Sequence, residues 1–334
     1  MHRIAQIKSW LLQDLKFSEF DLVPASSDAS FRRYFRVLPL NQTATISDTD
    51  KTLIVMDAPP DKEDSGPFMK VATLLAEIGL NVPLIKESNI GKGFLLLSDL
   101  GSEQYLAVLN DSNVQQLYAD ALKALLTMQL SGPRQEQLPP YDYSLLMREM
   151  ELFREWYLKI HLQLELTPKE EQLLTNSFEL LAQSALSQPK VCVHRDYHSR
   201  NLMLTEDNNP GILDFQDAVV GPVTYDLVSL LRDCYITWPK HQVQAWALDY
   251  LTRAADAGLF NERDEELLLR WFDWMGAQRH LKASGIFARL NHRDNKPGYL
   301  QDIPRTLSYV VDVASRYKEL QPLYDFLQHR VLKG

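Results

Sequence analysis

Residues Val191 to Asp226 read VCVHRDYHSRNLMLTEDNNPGILDFQDAVVGPVTYD, and this stretch limits the possible folds more than any other. It opens on an apolar run, Val191-Cys192-Val193, which suits a buried strand that delivers its end to the polar loop His194 to Asn201. Leu202-Met203-Leu204 follows, then a turn from Glu206 to Pro210 and a second apolar run, Gly211-Ile212-Leu213. The sequence Asp207-Asn208-Asn209-Pro210-Gly211 is strong hairpin punctuation. Asp196 and Asn201 thus sit on a loop before one strand, and Asp214 ends its hairpin partner. One carboxylate of base type and two oxygen ligands of metal type are expected at one end of a small β-ribbon.

Phosphoryl transfer from ATP requires that set. One carboxylate orients the attacking hydroxyl and receives its proton, while an amide oxygen and a second carboxylate hold Mg²⁺ against the phosphates. Asp196 and Asn201 stand five positions apart, the spacing of the kinase catalytic loop H-R-D-x-x-x-x-N. With equally frequent residues, the three fixed positions His, Asp and Asn arise in about one window in eight thousand. The added aspartates at 214 and 226 make coincidence a poor account; the plain alternative is a polar hairpin with solvated charges. Protein kinases carry lysine two residues after the catalytic aspartate, where this chain has His198. Asp214-Phe215-Gln216 also reaches Asp226 within twelve residues, which leaves no room for a peptide-docking activation segment. The acceptor is therefore expected to be a small molecule.

The pattern H-x-D-x-H-x-x-N, then Leu213-Asp214-Phe215, then Gly221-Pro222 and Tyr225-Asp226-Leu227, resembles the aminoglycoside phosphotransferase-like kinases. The chain further resembles the bacterial N-acetylmuramate/N-acetylglucosamine anomeric kinases. The stretches that carry this likeness are Asp28 to Arg36, Val55 to Pro60, Arg232 to Tyr235 and Gly285 to Leu290. The resemblance implies an α+β, two-lobed protein-kinase-like fold, with a small β-rich N-lobe over residues 1–98 and a larger helical C-lobe over 99–334. It implies ATP and Mg²⁺ as cofactors and an amino sugar phosphorylated at its anomeric hydroxyl. Asp196 would be the base, His194 would pack to fix the loop, and Asn201 and Asp214 would hold the metal. Asp226 would prop the catalytic loop from a helix. A kinase for an aminoglycoside, choline or another amino alcohol, and a nucleotide-binding pseudokinase, are the competing readings.

At 334 residues the chain has ample length for two lobes, and 45% apolar and 24% charged residues are ordinary globular values. A net charge of −9 argues against a nucleic-acid surface. No apolar run reaches membrane-spanning length, and Met1 to Leu15 lacks the apolar core of a signal peptide. The two cysteines, Cys192 and Cys234, read as reduced thiols, with Cys192 in an apolar strand. A cytoplasmic protein is the simple expectation; oligomeric state stays open.

Along the chain, Ile4, Ile7, Trp10, Leu11 and Leu15 share one face of a helix over residues 3–17. Strands are expected at Phe20–Val23, Arg32–Val37, Thr52–Asp57, Asn81–Ile85 and Gly93–Ser98, with an exposed loop over 41–50. Between the first two strands, Ser27, Asp28, Ala29 and Ser30 occupy the place where kinases cover the phosphates, here without glycine. The kinase lysine would fall near Met56 or Asp57, and its glutamate partner near Phe68 or Met69; neither is present. Lys62 is the candidate replacement, and reads equally as a solvated loop lysine. Leu97 to Leu100, including Asp99, suits a hinge whose backbone meets the adenine edge.

Beyond the hinge, helices are expected at 114–130, 143–162, from Thr167 to Leu186 with Glu171 in its first turn, and near 224–236, 240–257 and 262–283. Arg279 to Lys282 and Arg289 to Lys296 form a basic stretch in an acidic chain. It reads as a solvated helix end, or as an anion site in which Arg289 and Arg293 meet an acidic group on the acceptor. Arg195 is open between a structural ion pair and a substrate contact.

Overall fold

The computed structural model describes residues 2–27, 31–40 and 51–332. The chain forms two compact units, one of residues 1–120 with 200–217 and one of residues 121–199 with 218–334.

The first unit is organised on five antiparallel strands: β1 (Phe20–Ser27), β2 (Arg33–Pro39), β3 (Leu53–Asp57), β4 (Ile85–Asn89) and β5 (Phe94–Ser98), in the order β1-β2-β3-β5-β4. Strand alternation sorts its residues onto two faces. Phe35, Val37, Leu53, Val55, Phe94 and Leu96 pack against Ile7, Trp10, Leu11 and Phe17 in one apolar core. Fully burying a side chain of this size contributes about 1.5–3 kcal/mol, so the N-terminal segment is anchored by its apolar face. That segment is helix α1 (His2–Ser9) closed by a π-helical turn, Trp10–Asp14, with Ile4 left exposed. The other face of the sheet, with Tyr34, Arg36, Ile54 and Leu97, borders a cavity.

The largest departures from the expected strand boundaries are in β1 and β4. β1 continues to Ser27, and as an edge strand it absorbs Pro24, which has no N–H, through a register shift between Pro24 and Ser26. β4 begins at Ile85 rather than Asn81. Pro83 cannot enter a ladder, and the polar Lys86-Glu87-Ser88 run suits an outer strand with exposed side chains. Helix α2 (Gly66–Glu77) follows β3 with proline in its first turn. The unit is completed by the short α3 (Tyr105–Val108) and by a hairpin, β7 (Leu202–Met203) with β8 (Gly211–Ile212). Ile212 N–H donates to Asn81 O at 2.7 Å and Leu204 N–H to Glu103 O at 2.8 Å, which draws residues 200–217 into this unit.

The second unit holds the antiparallel pair β6 (Lys190–Val193) and β9 (Val219–Pro222) among helices. These are most of α4 (Val114–Ser131), then α5 (Tyr143–Leu152), α6 (Pro168–Ser187), α7 (Tyr225–Leu231), α8 (Lys240–Asp256), α9 (Glu265–His292), α10 (Ile303–Ala314) and α11 (Gln321–Phe326). A π-helical segment, Phe153–His161, extends α5. The capping box of α6 is Thr167 with Glu170, not Glu171, which instead pairs with Arg154 and Lys159. α9 runs nine residues past its expected end at 283, straight through Gly285. A Cβ there would lie 2.2 Å from the Leu152 carbonyl carbon, so glycine is required where α9 crosses the end of α5. Among the described residues no helix is long and apolar enough to cross a membrane.

Candidate active site

In the first unit, the free face of the sheet and the hairpin enclose a cavity of about 460 Å³. Leu97, Ser98, Asp99, Leu100 and Gly101 line it from the linker, and Asn201, Asp214 and Phe215 from the hairpin. Leu213 N–H donates to Asn201 O at 2.9 Å, closing the hairpin so that its two functional side chains meet. Asn201 Nδ2 lies 3.2 Å from Asp214 Oδ2, and Gln216 Nε2 donates to Asp214 Oδ1 at 2.7 Å. Asp214 has φ +65°, in the left-handed region, which an L-residue keeps only where its surroundings enforce it. With its amide turned over, Asn201 would present its oxygen beside the Asp214 carboxylate, and the two would supply hard oxygen donors to a divalent ion. Among the described residues no group of three or more His, Cys, Asp or Glu side chains could hold a metal. A hard ion that keeps waters and takes one carboxylate plus substrate oxygens fits this donor set.

Where the kinase ion pair would stand, the chain places apolar contacts. Met56 is fully buried, and Phe68 lies against Phe215 with ring centroids 5.0 Å apart. Asp57 is fully buried and holds both Arg3 and Arg33, the latter at 2.5 Å, tying α1 to the sheet. Lys62 lies over the exposed Phe31 ring at 4.8 Å, while Glu63 accepts Phe31 N–H and pairs with Arg32 at 3.3 Å. Two cations do line the cavity, Arg36 and Arg200, and the sequence reading passed over both. The signal for Arg36 was alternation within β2, opposite Phe35 and Val37. Arg36 Nε donates to Asp99 at 2.5 Å, and this bond raises the guanidinium pKa. Thr52 Oγ1 and Gly101 N–H donate to the same carboxylate, so Asp99 braces the linker as well as bordering the cavity. Ser27 ends β1, and Asp28, Ala29 and Ser30 lie outside the described residues.

In the second unit, the loop after β6 is bolted from behind. The Asp226 carboxylate, on α7, accepts His194 N–H at 2.6 Å and Arg195 N–H at 3.0 Å, the propping role expected of it. Burial pushes the Asp226 pKa up to about 7, against those two donors. Asp233 accepts both Ser199 N–H at 2.9 Å and Ser199 Oγ–H at 2.5 Å, and Tyr235 N–H as well. His194 is fully buried, and its Nδ1 accepts Asp196 N–H at 3.2 Å. Arg195, at φ +79°, directs its guanidinium to Glu149 on α5.

The surroundings of Asp196 are charged far beyond what its loop supplies. Burial raises its pKa, but Lys282, His198, Arg279 and Arg195 outweigh this and hold it below the ordinary aspartate value. Asp196 is therefore an ionised carboxylate at neutral pH, as a base must be. Lys282 Nζ is 3.0 Å from Glu149 Oε1 and donates to Tyr225 Oη at 2.9 Å. Tyr141 Oη donates to the other Glu149 oxygen. Arg279 and Lys282 are thus buried in mid-helix, not at a solvated helix end, because every face of α9 here is covered. Further along, Arg293 is exposed and paired with Asp294 at 2.8 Å. Arg289 is half-buried, and its Nε finds no acceptor.

The profile of the phosphotransferase enzyme family matches residues 21–260. The N-acetylmuramate/N-acetylglucosamine kinase of Pseudomonas aeruginosa is 46% identical over 97% of this chain and 96% of its own. The protein of the same name from Neisseria meningitidis serogroup B is 43% identical over 98% and 96%. Among solved structures, an ADP-bound aminoglycoside phosphotransferase superposes with a TM-score of 0.59 at 17% identity, over 92% of this chain and 98% of its own. A choline kinase from Cryptosporidium parvum gives 0.63 at 11%, over 97% and 100%. These structures share the two-lobed, protein-kinase-like α+β fold.

Proposed function

The chain belongs to the phosphotransferase enzyme family, and from that premise we propose that it transfers the γ-phosphoryl group of ATP to the anomeric hydroxyl of N-acetylmuramate and N-acetylglucosamine. Kinship at 43–46% identity along nearly the whole chain with kinases named for these two sugars carries the reading. Lobes dividing after Ser98, as 1–98 and 99–334, and a cytoplasmic site of action go with it.

Asp196 orients the sugar hydroxyl and takes its proton, and the clamps from Asp226 and Asp233 hold the loop on which it acts. His194 fixes the backbone of the same loop. Asn201 and Asp214 hold Mg²⁺, which supplies charge neutralisation on the phosphates. The cavity of the first unit takes the adenine against Leu97 and the linker, with Arg36 and Asp99 bracing it, and Ser27, Asp28, Ala29, Ser30 and Lys62 are the residues proposed to meet the phosphates. Of the two arginines considered for an acidic group on the acceptor, Arg289 suits the role better, since Arg293 already has Asp294. Cationic acceptors such as aminoglycosides or choline are disfavoured by the positive charges of Lys282 and Arg279 around Asp196.

The test is ATP turnover with Mg²⁺ against a panel of N-acetylmuramate, N-acetylglucosamine, an aminoglycoside and choline, with ³¹P detection of the product. An anomeric phosphate from the two amino sugars is the expected product. Turnover of only a cationic acceptor would sink the proposal.

A further inference from the structure

Four charged side chains line the cavity of the first unit: Arg36, Asp99, Arg200 and Asp214. The first two answer each other. Arg36 directs Nε and Nη2 to the Asp99 carboxylate, at 2.5 and 3.1 Å, and Nη2 also donates to Gly101 O at 2.8 Å. That guanidinium is committed to the linker. Arg200 and Asp214 stand on the two arms of the hairpin, Arg200 beside Asn201 just before β7 and Asp214 just after β8. The bond from Leu213 N–H to Asn201 O, at 2.9 Å, ties the arms together at this end. A cation on the cavity wall is therefore next in the chain to the Asn201–Asp214 pair, whose side chains meet at 3.2 Å. The apolar lining, with Leu97, Leu100, Met203 and Leu213, suits a base instead.

We propose that Arg200 binds the phosphate oxygens of the nucleotide and so supplies, from the hairpin, the cation that the third strand lacks. This rests on the phosphotransferase reading above. Magnesium-bound ATP still carries net negative charge, and the Asp214 carboxylate adds to it, so a site that holds both needs a further positive group. Protein kinases meet that need with a lysine on the third strand. Here β3 places the fully buried Met56 near that position. A guanidinium stays charged and carries five N–H donors in a planar fork, which can take two phosphate oxygens through parallel bonds.

Arg200→Met keeps an unbranched stem and removes the charge. Calorimetric titrations of the full chain with ADP and Mg²⁺, and with adenosine, separate the phosphates from the base. We expect the ADP Kd to rise roughly 10–100-fold, with adenosine affinity within about twofold of the parent's. The KM for ATP should rise with it, and Arg200→Lys should recover part of the loss. Raising salt from about 0.05 to 0.5 M should narrow the ADP gap between parent and Arg200→Met, since charge attraction is screened. An ADP affinity within about twofold of the parent's in Arg200→Met would overturn the proposal. So would an equal loss for ADP and adenosine, or a fall in melting temperature that tracks the lost affinity in both variants; either would make Arg200 a support of the cavity wall. A parent that binds no ADP would defeat the phosphotransferase reading itself, which separates the two failures.

Discussion

Around the sheet of the first unit, four arginines each have a carboxylate at hand: Arg36 with Asp99, Arg3 and Arg33 with Asp57, and Arg32 with Glu63. Around Asp196 in the second unit, Arg195, Lys282 and Arg279 lie among Glu149, Asp226 and Asp233; Glu149 pairs with Arg195 and Lys282, while Arg279 feels Asp196 and Asp233 across space. The sheet of the first region therefore reads as a scaffold whose charges are satisfied before any ligand arrives. Its cavity holds by shape, by hydrogen bonds and, in our proposal, by Arg200 from the hairpin. The second region gathers its charges around Asp196, the base of the proposed reaction, and holds that carboxylate ionised. Binding and turnover should accordingly respond to different mutations.

The largest effect should come from Asp196→Asn. Turnover should fall by about 10²–10⁴-fold, since a positioned base contributes that much, while calorimetric ATP affinity stays near the parent value. A variant that keeps more than half the parent activity in steady-state assays would erase the distinction between the regions. Asp214→Ala should act on the other side of the comparison, weakening nucleotide affinity in Mg²⁺ by about tenfold or more through the lost charge-assisted contact. Titrations with and without Mg²⁺ would show it; an unchanged Mg²⁺ dependence removes Asp214 from the metal.

The smallest effect is on stability and belongs to the charge-rich region. His280 is buried beside Arg279, its Nε2 against Arg232 O and its ring stacked on Tyr309, and burial first, then Arg279, lowers its pKa to about 3. The folded chain thus keeps the ring neutral while the unfolded chain binds a proton below about 6.5. This group costs nothing above that pH, and below it stability falls by about 1.4 kcal/mol per pH unit until about pH 3. Asp226, with its pKa raised to about 7, has the opposite sign: its stabilising excess proton is lost as pH rises from about 4 through 7. The two oppose each other in mild acid, so only a difference isolates His280. Denaturant midpoints of parent and His280→Gln should move apart, the parent becoming relatively weaker, as pH drops from 6.5 to 5. Parallel curves would mean that the ring is not held neutral.

The hairpin around Asp214 was legible because turn residues and short apolar runs are local signals, and the loop before it because H-R-D-x-x-x-x-N is a spacing. Asp226 was legible for the same reason, and its two amide bonds match the role read for it. β4 was misplaced because Val82 and Leu84 carry the apolar signal, while the strand itself is the polar edge that follows Pro83. For Arg279 and Lys282 a solvated helix end stood beside an anion site as an open reading, for a reason of the same kind. α9 is buried on all sides, so polar residues there break no amphipathic stripe that could have revealed their setting. Glu149 gave no signal at all, since its importance comes from partners about 45 and 130 residues away along the chain.

That glutamate has a consequence for control. In protein kinases the arginine preceding the catalytic aspartate commonly waits for a phosphate on the activation segment, which another enzyme adds or removes. Here Arg195 meets Glu149, a negative charge written into the gene. A phosphotransferase wired in this way needs no phosphate on an activation segment to hold that arginine.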